Sequence, residues 1–181
     1  MLAYQEYYTI KDYQRWEGDW ELIEGMPYAM SPSPSVTHQT VGVNLVTLIK
    51  NQLNNKSCAD KCLVLMETDW QIANDTVVRP DVMLICQDVG EKIMVTPELV
   101  IEIVSPSNTK RDEQMKFKLY QQEGLPYYIL AYPEQQLAKI YKNTEKGFQK
   151  IADCNNFGEK SVFSVLIKEC ELVFNFKHVW R

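Results

Sequence analysis

The residues with chemical potential in this chain are two acids and a lysine. Glu102 sits inside Leu99-Val100-Ile101-Glu102-Ile103-Val104, an apolar run that reads as a strand buried on both faces. A buried charge without a partner is costly, so this carboxylate demands one. The strand-like run ahead of it, Arg79 to Ile85, opens with Pro80-Asp81. Basic residues follow at Lys110, Arg111, Lys116 and Lys118. Two acids on neighbouring strands with a lysine nearby are a recipe for holding a metal ion against a phosphate. Close carboxylates repel, so one must take a proton or a cation must lie between them. Hard ions such as Mg²⁺ prefer carboxylate oxygens. Such an ion polarises a phosphoryl oxygen and lowers the pKa of a bound water, which is what phosphodiester hydrolysis needs.

Each of these residues also has a plainer reading. Asp81 reads equally as an exposed strand-end residue after Pro80, and Glu102 as half of an ion pair with a Lys or Arg. Lys116 stands four residues after Asp112, the spacing of a helix-surface pair worth about 0.3–0.5 kcal/mol. Lys110 and Arg111 fall in the first turn of a helix, where the dipole disfavours cations by about 0.3–1 kcal/mol. A bound anion would remove that conflict, and so would solvent screening. His38 and Gln39 lie at the start of the first long helix; His38 can accept a proton near neutral pH or serve a structural role. Cys58 and Cys62 could begin a zinc site, but Cys86, Cys154 and Cys170 supply no second matched pair. The chain has no Walker-type phosphate loop, no G-x-S-x-G elbow and no dinucleotide fingerprint.

The elements that must position these residues are legible in outline. Thr9 to Trp16 reads as a short helix, with Thr9 and Asp12 as a capping box. Glu24-Gly25 makes a tight turn between two strands within Trp20 to Met30. The serine–proline stretch Ser31 to Ser35 breaks regular structure ahead of a helix start. Val41, Leu45, Leu48, Ile49 and Leu53 then fall at helical spacing. Strands are expected at Leu63–Met66, Val82–Ile85 and Leu99–Val104. A second helix is expected from about Lys110 to Glu123, capped by Thr109 and stopped by Gly124 and Pro126. Tyr127–Tyr132 and Leu137–Tyr141 read as strands across a Pro133-Glu134 turn, and the tail as mostly β.

With 181 residues and 45% hydrophobic content, the chain fits one domain over residues 1–181. A net charge of -5 argues against gripping nucleic acid with the whole surface, while leaving room for a local basic site. No stretch approaches the roughly 20 apolar residues of a membrane span. The start of the chain lacks the charge and apolar core of a signal peptide. Five cysteines, an odd number, then predict free thiols in a reducing cytoplasm. The Trp and Tyr content leaves room for an aromatic homodimer interface.

One set of residues resembles a known family. Trp20-Glu21-Leu22-Ile23-Glu24-Gly25, Ser33-Pro34-Ser35 with His38-Gln39, and Arg79-Pro80-Asp81 are similar to the Uma2 family, of the PD-(D/E)XK restriction-endonuclease-like superfamily. So are Pro97 to Ser107 with its Glu-Ile-Val-Ser-Pro-Ser run, Asp112 with Lys116 and Tyr120, and Gly124 to Tyr128. The resemblance spans about Thr9 to Tyr141. It implies an α/β core with a mixed central β-sheet flanked by α-helices. It implies a Mg²⁺- or Mn²⁺-dependent endonuclease acting on nucleic acid, DNA first, with Asp81 and Glu102 as metal-binding carboxylates. The lysine that the superfamily places two residues after the glutamate is Val104 here, and Lys116 on the following helix matches the migrated position. Glu24 is read as a further catalytic acid; His38, Gln39, Lys110 and Arg111 are read as substrate contacts. The rival expectation is a catalytically silent module of the same fold.

Overall fold

The computed structural model describes residues 6–30, 34–54, 62–105, 111–157 and 160–181, with the side chains of 111 and 112 excepted. Its centre is a six-stranded sheet made of β3 (Leu63–Met66), β6 (Val82–Ile85), β7 (Leu99–Ile103), β8 (Tyr127–Tyr132), β9 (Leu137–Thr144) and β10 (Gly147–Asn155). Their order across the sheet is β10-β9-β8-β7-β6-β3. Neighbours run antiparallel except β7 and β8, which are parallel. A parallel pair needs a crossover, and the helical segment between residues 111 and 122 supplies it.

Alternation along each strand divides the core in two. Val82, Leu84, Leu99, Ile101, Ile103, Ile129 and Ala131 face one side, together with Val41, Leu45 and Ile49 of α2 (Val36–Leu53). The C-terminal hairpin of β11 (Val162–Ile167) and β12 (Cys170–Asn175) packs on the same side through Leu172 and Phe174. Met83, Ile85, Val100, Tyr128 and Leu130 face the other side. There they meet the crossover helix and a smaller sheet of order β2-β1-β5-β4, built from β1 (Trp20–Ile23), β2 (Met26–Ala29), β4 (Trp70–Ala73) and β5 (Thr76–Val78).

The local expectations fare unevenly. Thr9 and Asp12 form the capping box, but the helix they begin, α1 (Ile10–Tyr13), is shorter than its pattern. Glu24 and Gly25 turn the β1–β2 hairpin, both with positive φ, as a two-residue turn requires. α2 starts at Val36, with the Ser35 hydroxyl accepting from the His38 amide. The second helix is not α throughout. Arg111–Lys116 forms π-helical turns, and α3 proper is Phe117–Gln122. The β4–β5 hairpin carries the alternation of a strand pair and stands outside the elements the pattern singled out.

The thiols correct an expectation. Cys62 and Cys86 form a disulfide, with Cα atoms 3.9 Å apart. The β3–β6 register pairs Leu63 with Ile85 and so brings the next residues opposite each other. Cys170 is also disulfide-bonded, whereas Cys154 is a buried free thiol whose pKa burial pushes up. No helix among the described residues is long and apolar enough to cross a membrane.

Candidate active site

The strand registers align the acids. Met66 pairs with Val82, and Val82 with Ile101, so one further step brings Glu67, Asp81 and Glu102 into a row across β3, β6 and β7. The row continues through Leu130 to Lys139 on β8 and β9. It lies on the sheet face that carries the crossover helix. Asp81 is neither exposed nor a plain strand end: it is 9% exposed, and its Oδ2 accepts from the Ile103 amide at 2.6 Å.

Lys116 is not a surface residue. It is 3% exposed, and its ammonium lies 2.7 Å from Glu21 Oε1 and 3.0 Å from Glu102 Oε1. The Tyr120 hydroxyl donates to the same Glu102 oxygen at 2.8 Å. Burial, then the Glu102 charge, hold that phenol well above its ordinary pKa, so it remains a donor. Trp70 stacks on the Tyr120 ring at 5.5 Å and fixes its orientation. Lys116 and Tyr120 lie four residues apart, so they share a helix face and grip Glu102 together.

Glu21 is the acid that the sequence reading passed over. It is wholly buried, and besides Lys116 it accepts from the Arg79 amide at 2.8 Å. Its signal was the one that exposed Glu102: a carboxylate between apolar neighbours, Trp20 and Leu22, in a strand. Glu24 does not join this group. It occupies the exposed β1–β2 turn with φ 51°, and its amide donates to the Thr76 hydroxyl.

The first turn of α2 supplies the other half of the site. His38 Nε2 lies 3.2 Å from Asp81 Oδ2, and the Gln39 amide donates to Glu67 Oε1 at 3.0 Å. Gly42, one turn later, packs against side-chain tips: a Cβ there would stand 2.8 Å from Met66 Cε and 3.4 Å from Ile103 Cδ1. His38, Glu67 and Asp81 each offer a ligand atom, and these atoms all lie within 4.8 Å of one another. This donor set fits a divalent cation. Glu102, the other acid of the expected pair with Asp81, stands in the same row, with its Oε1 held by Lys116 and Tyr120. Glu67 was missed because Met66-Glu67-Thr68-Asp69 reads as an ordinary polar turn. Lys110 falls outside the described residues, and Arg111 opens the π-helical segment.

A cavity of ≈ 500 Å³ opens beyond the end of β7, lined by Val104, Ser105, Glu113, Tyr132 and Lys139 among others. Not every buried acid belongs to the site. Glu98, 7% exposed, binds the Cys86 amide at 2.6 Å and Lys168 at 3.3 Å, and it serves the fold.

A mixed sheet with one parallel step, acids in register at its strand ends and a lysine on the crossover helix define a restriction-endonuclease-like domain. The chain belongs to the Uma2 family, described as "putative restriction endonuclease", whose profile matches residues 5–172. It is similar to the uncharacterized protein slr1290 of Synechocystis sp. (strain ATCC 27184 / PCC 6803 / Kazusa). The two are 28% identical over 150 residues, covering 80% of this chain and 76% of that protein. Among solved structures, the "putative nuclease belonging to DUF820" from Anabaena variabilis ATCC 29413 superposes with a TM-score of 0.75. The match covers 96% of this chain and 97% of that one at 16% identity, and so shows a shared fold.

Proposed function

We propose that this protein is a metal-dependent endonuclease that hydrolyses phosphodiester bonds of nucleic acid, DNA first. The observation that carries the reading is the convergence of His38, Glu67 and Asp81 beside a lysine buried between Glu21 and Glu102. Carboxylates gathered this densely repel, and a divalent cation is the group that relieves them. Asp81 would hold Mg²⁺ or Mn²⁺ at the centre of the row, with Glu67 and His38 on one side and Glu102 on the other. When bound, such an ion supplies Lewis-acid stabilisation of a phosphoryl oxygen and lowers the pKa of a coordinated water.

The chain's own groups do the rest. Lys116 brings positive charge to the place where phosphorane charge develops. Glu21 holds the Lys116 ammonium in place, and Tyr120 fixes Glu102. Gln39 orients Glu67. The cavity beside Val104 and Lys139 is the approach for the substrate backbone. A homodimer and a cytoplasmic setting belong to the same reading.

The test is cleavage of plasmid and single-stranded DNA with Mn²⁺, comparing the wild type with Asp81→Asn and Lys116→Met. Cleavage by the wild type and its loss in both variants are expected, by about two to three orders of magnitude where a residue stabilises developing charge. Equal cleavage by wild type and Asp81→Asn would sink the assignment. Ion binding without cleavage of DNA or RNA would instead favour a silent binding module of the same fold.

A further inference from the structure

The identity of the cation is also written in the donor set, an inference that rests on the metal-dependent reading above. Three segments converge on one point: the first turn of α2, the residue after β3 and the residue before β6. They bring one imidazole and two carboxylates. His38 Nε2 and Asp81 Oδ2 lie 3.2 Å apart, and the Glu67 donor stands within 4.8 Å of both. Adjacent ligands of an octahedral ion with bonds near 2.1 Å lie about 3.0 Å apart, so the His38–Asp81 pair is already at ligating separation.

The outer contacts are those of a ligand set as well. The Ile103 amide donates to Asp81 at 2.6 Å and the Gln39 side chain to Glu67 at 3.0 Å, which fixes both carboxylates. Glu67 is aimed by a backbone at φ 44°, a region that L residues with side chains rarely occupy. Strained conformations of this kind persist where the surroundings over-determine them, commonly at ligand sites.

Mg²⁺ takes oxygen donors and water in preference to imidazole, whereas first-row transition ions accept imidazole readily. The geometry points to His38 as a direct ligand that makes this site selective for a first-row transition-metal ion over Mg²⁺. His38 would thus be the specificity-determining residue of the metal site, with Asp81 and Glu67 as its general cation holders.

Titration calorimetry of the full chain with Mn²⁺, Co²⁺ and Mg²⁺, without nucleic acid, tests this. The wild type is expected to bind Mn²⁺ and Co²⁺ more tightly than Mg²⁺. His38→Asn is expected to lower the Mn²⁺ and Co²⁺ affinities about tenfold or more while Mg²⁺ binding changes little, the scale on which site residues tune affinity. Retained Mg²⁺ binding also reports that the variant is folded. Electron spin-echo spectroscopy of the Mn²⁺-loaded wild type needs no variant, and it should show ¹⁴N coupling from a bound imidazole. An unchanged Mn²⁺/Mg²⁺ ratio in His38→Asn, or no ¹⁴N coupling, would overturn the inference. If Asp81→Asn still abolished binding in that case, the metal-dependent reading would stand without it. Absence of binding by the wild type, or binding indifferent to Asp81→Asn, would overturn both.

Discussion

Glu67 sets its own fold against its use. A side chain at φ 44° costs of order 1 kcal/mol, and this one also faces the like charge of Asp81. Glycine removes both penalties. Glu67→Gly is therefore expected to leave the protein in EDTA as stable as the wild type or more so, by up to about 1 kcal/mol. The same variant should lose most of the rise in melting temperature that Mn²⁺ gives the wild type. Thermal melts with and without the ion check both halves; a variant that loses stability in EDTA and keeps its Mn²⁺ response would contradict the placement. At this scale the sequence was readable where burial and charge conflict. Glu102 announces itself by five apolar neighbours in its run. Glu21 carries the same conflict in a four-residue strand, and the nearby turn acid Glu24 took its place in the reading. Glu67 carries no such conflict, because only the sheet register makes it a neighbour of Asp81.

At the scale of elements, β3 is an edge strand fastened at one end by the Cys62–Cys86 disulfide and leading at the other into Glu67. The bond closes a loop with a sequence separation of 24, worth about 3 kcal/mol by loop entropy. Cys62→Ser with Cys86→Ser should therefore lower the melting temperature and speed amide exchange along β3, while α2 keeps its protection. Uniform loss of protection would show that the edge does not open separately. A reducing cytoplasm would keep such a pair open, so the same variant describes the protein's edge in that setting. The periodicity of α2 and the apolar strand runs fixed these elements in advance. The π-helical turns of Arg111–Lys116 were invisible, because a segment of 6 residues is too short for its period to be told from that of an α-helix. Those turns nonetheless decide where Lys116 enters the core.

Over the whole molecule, the site draws on β1, the start of α2, the ends of β3, β6 and β7 and the crossover helix. The strand runs and two helices made a sheet domain of α/β or α+β class legible, and the family resemblance added the mixed sheet. The order of the sheet was not legible, since pairing depends on which faces need covering. Refolding from denaturant should recover Mn²⁺ binding in the slowest phase, together with the final β7–β8 contacts. Recovery of binding ahead of the native near-ultraviolet signal would place site formation earlier than the topology allows.

The parallel step between β7 and β8 has a bearing on how such a protein is made. Glu102 leaves the ribosome before the lysine that balances it, and β8 follows later still. A nascent or truncated chain ending before that crossover thus holds acids without their cation and a central strand without its neighbour. Under the proposed activity, an unfinished chain is a harmless one: the capacity to cut nucleic acid arrives with completion of the domain, and synthesis itself acts as the safety catch.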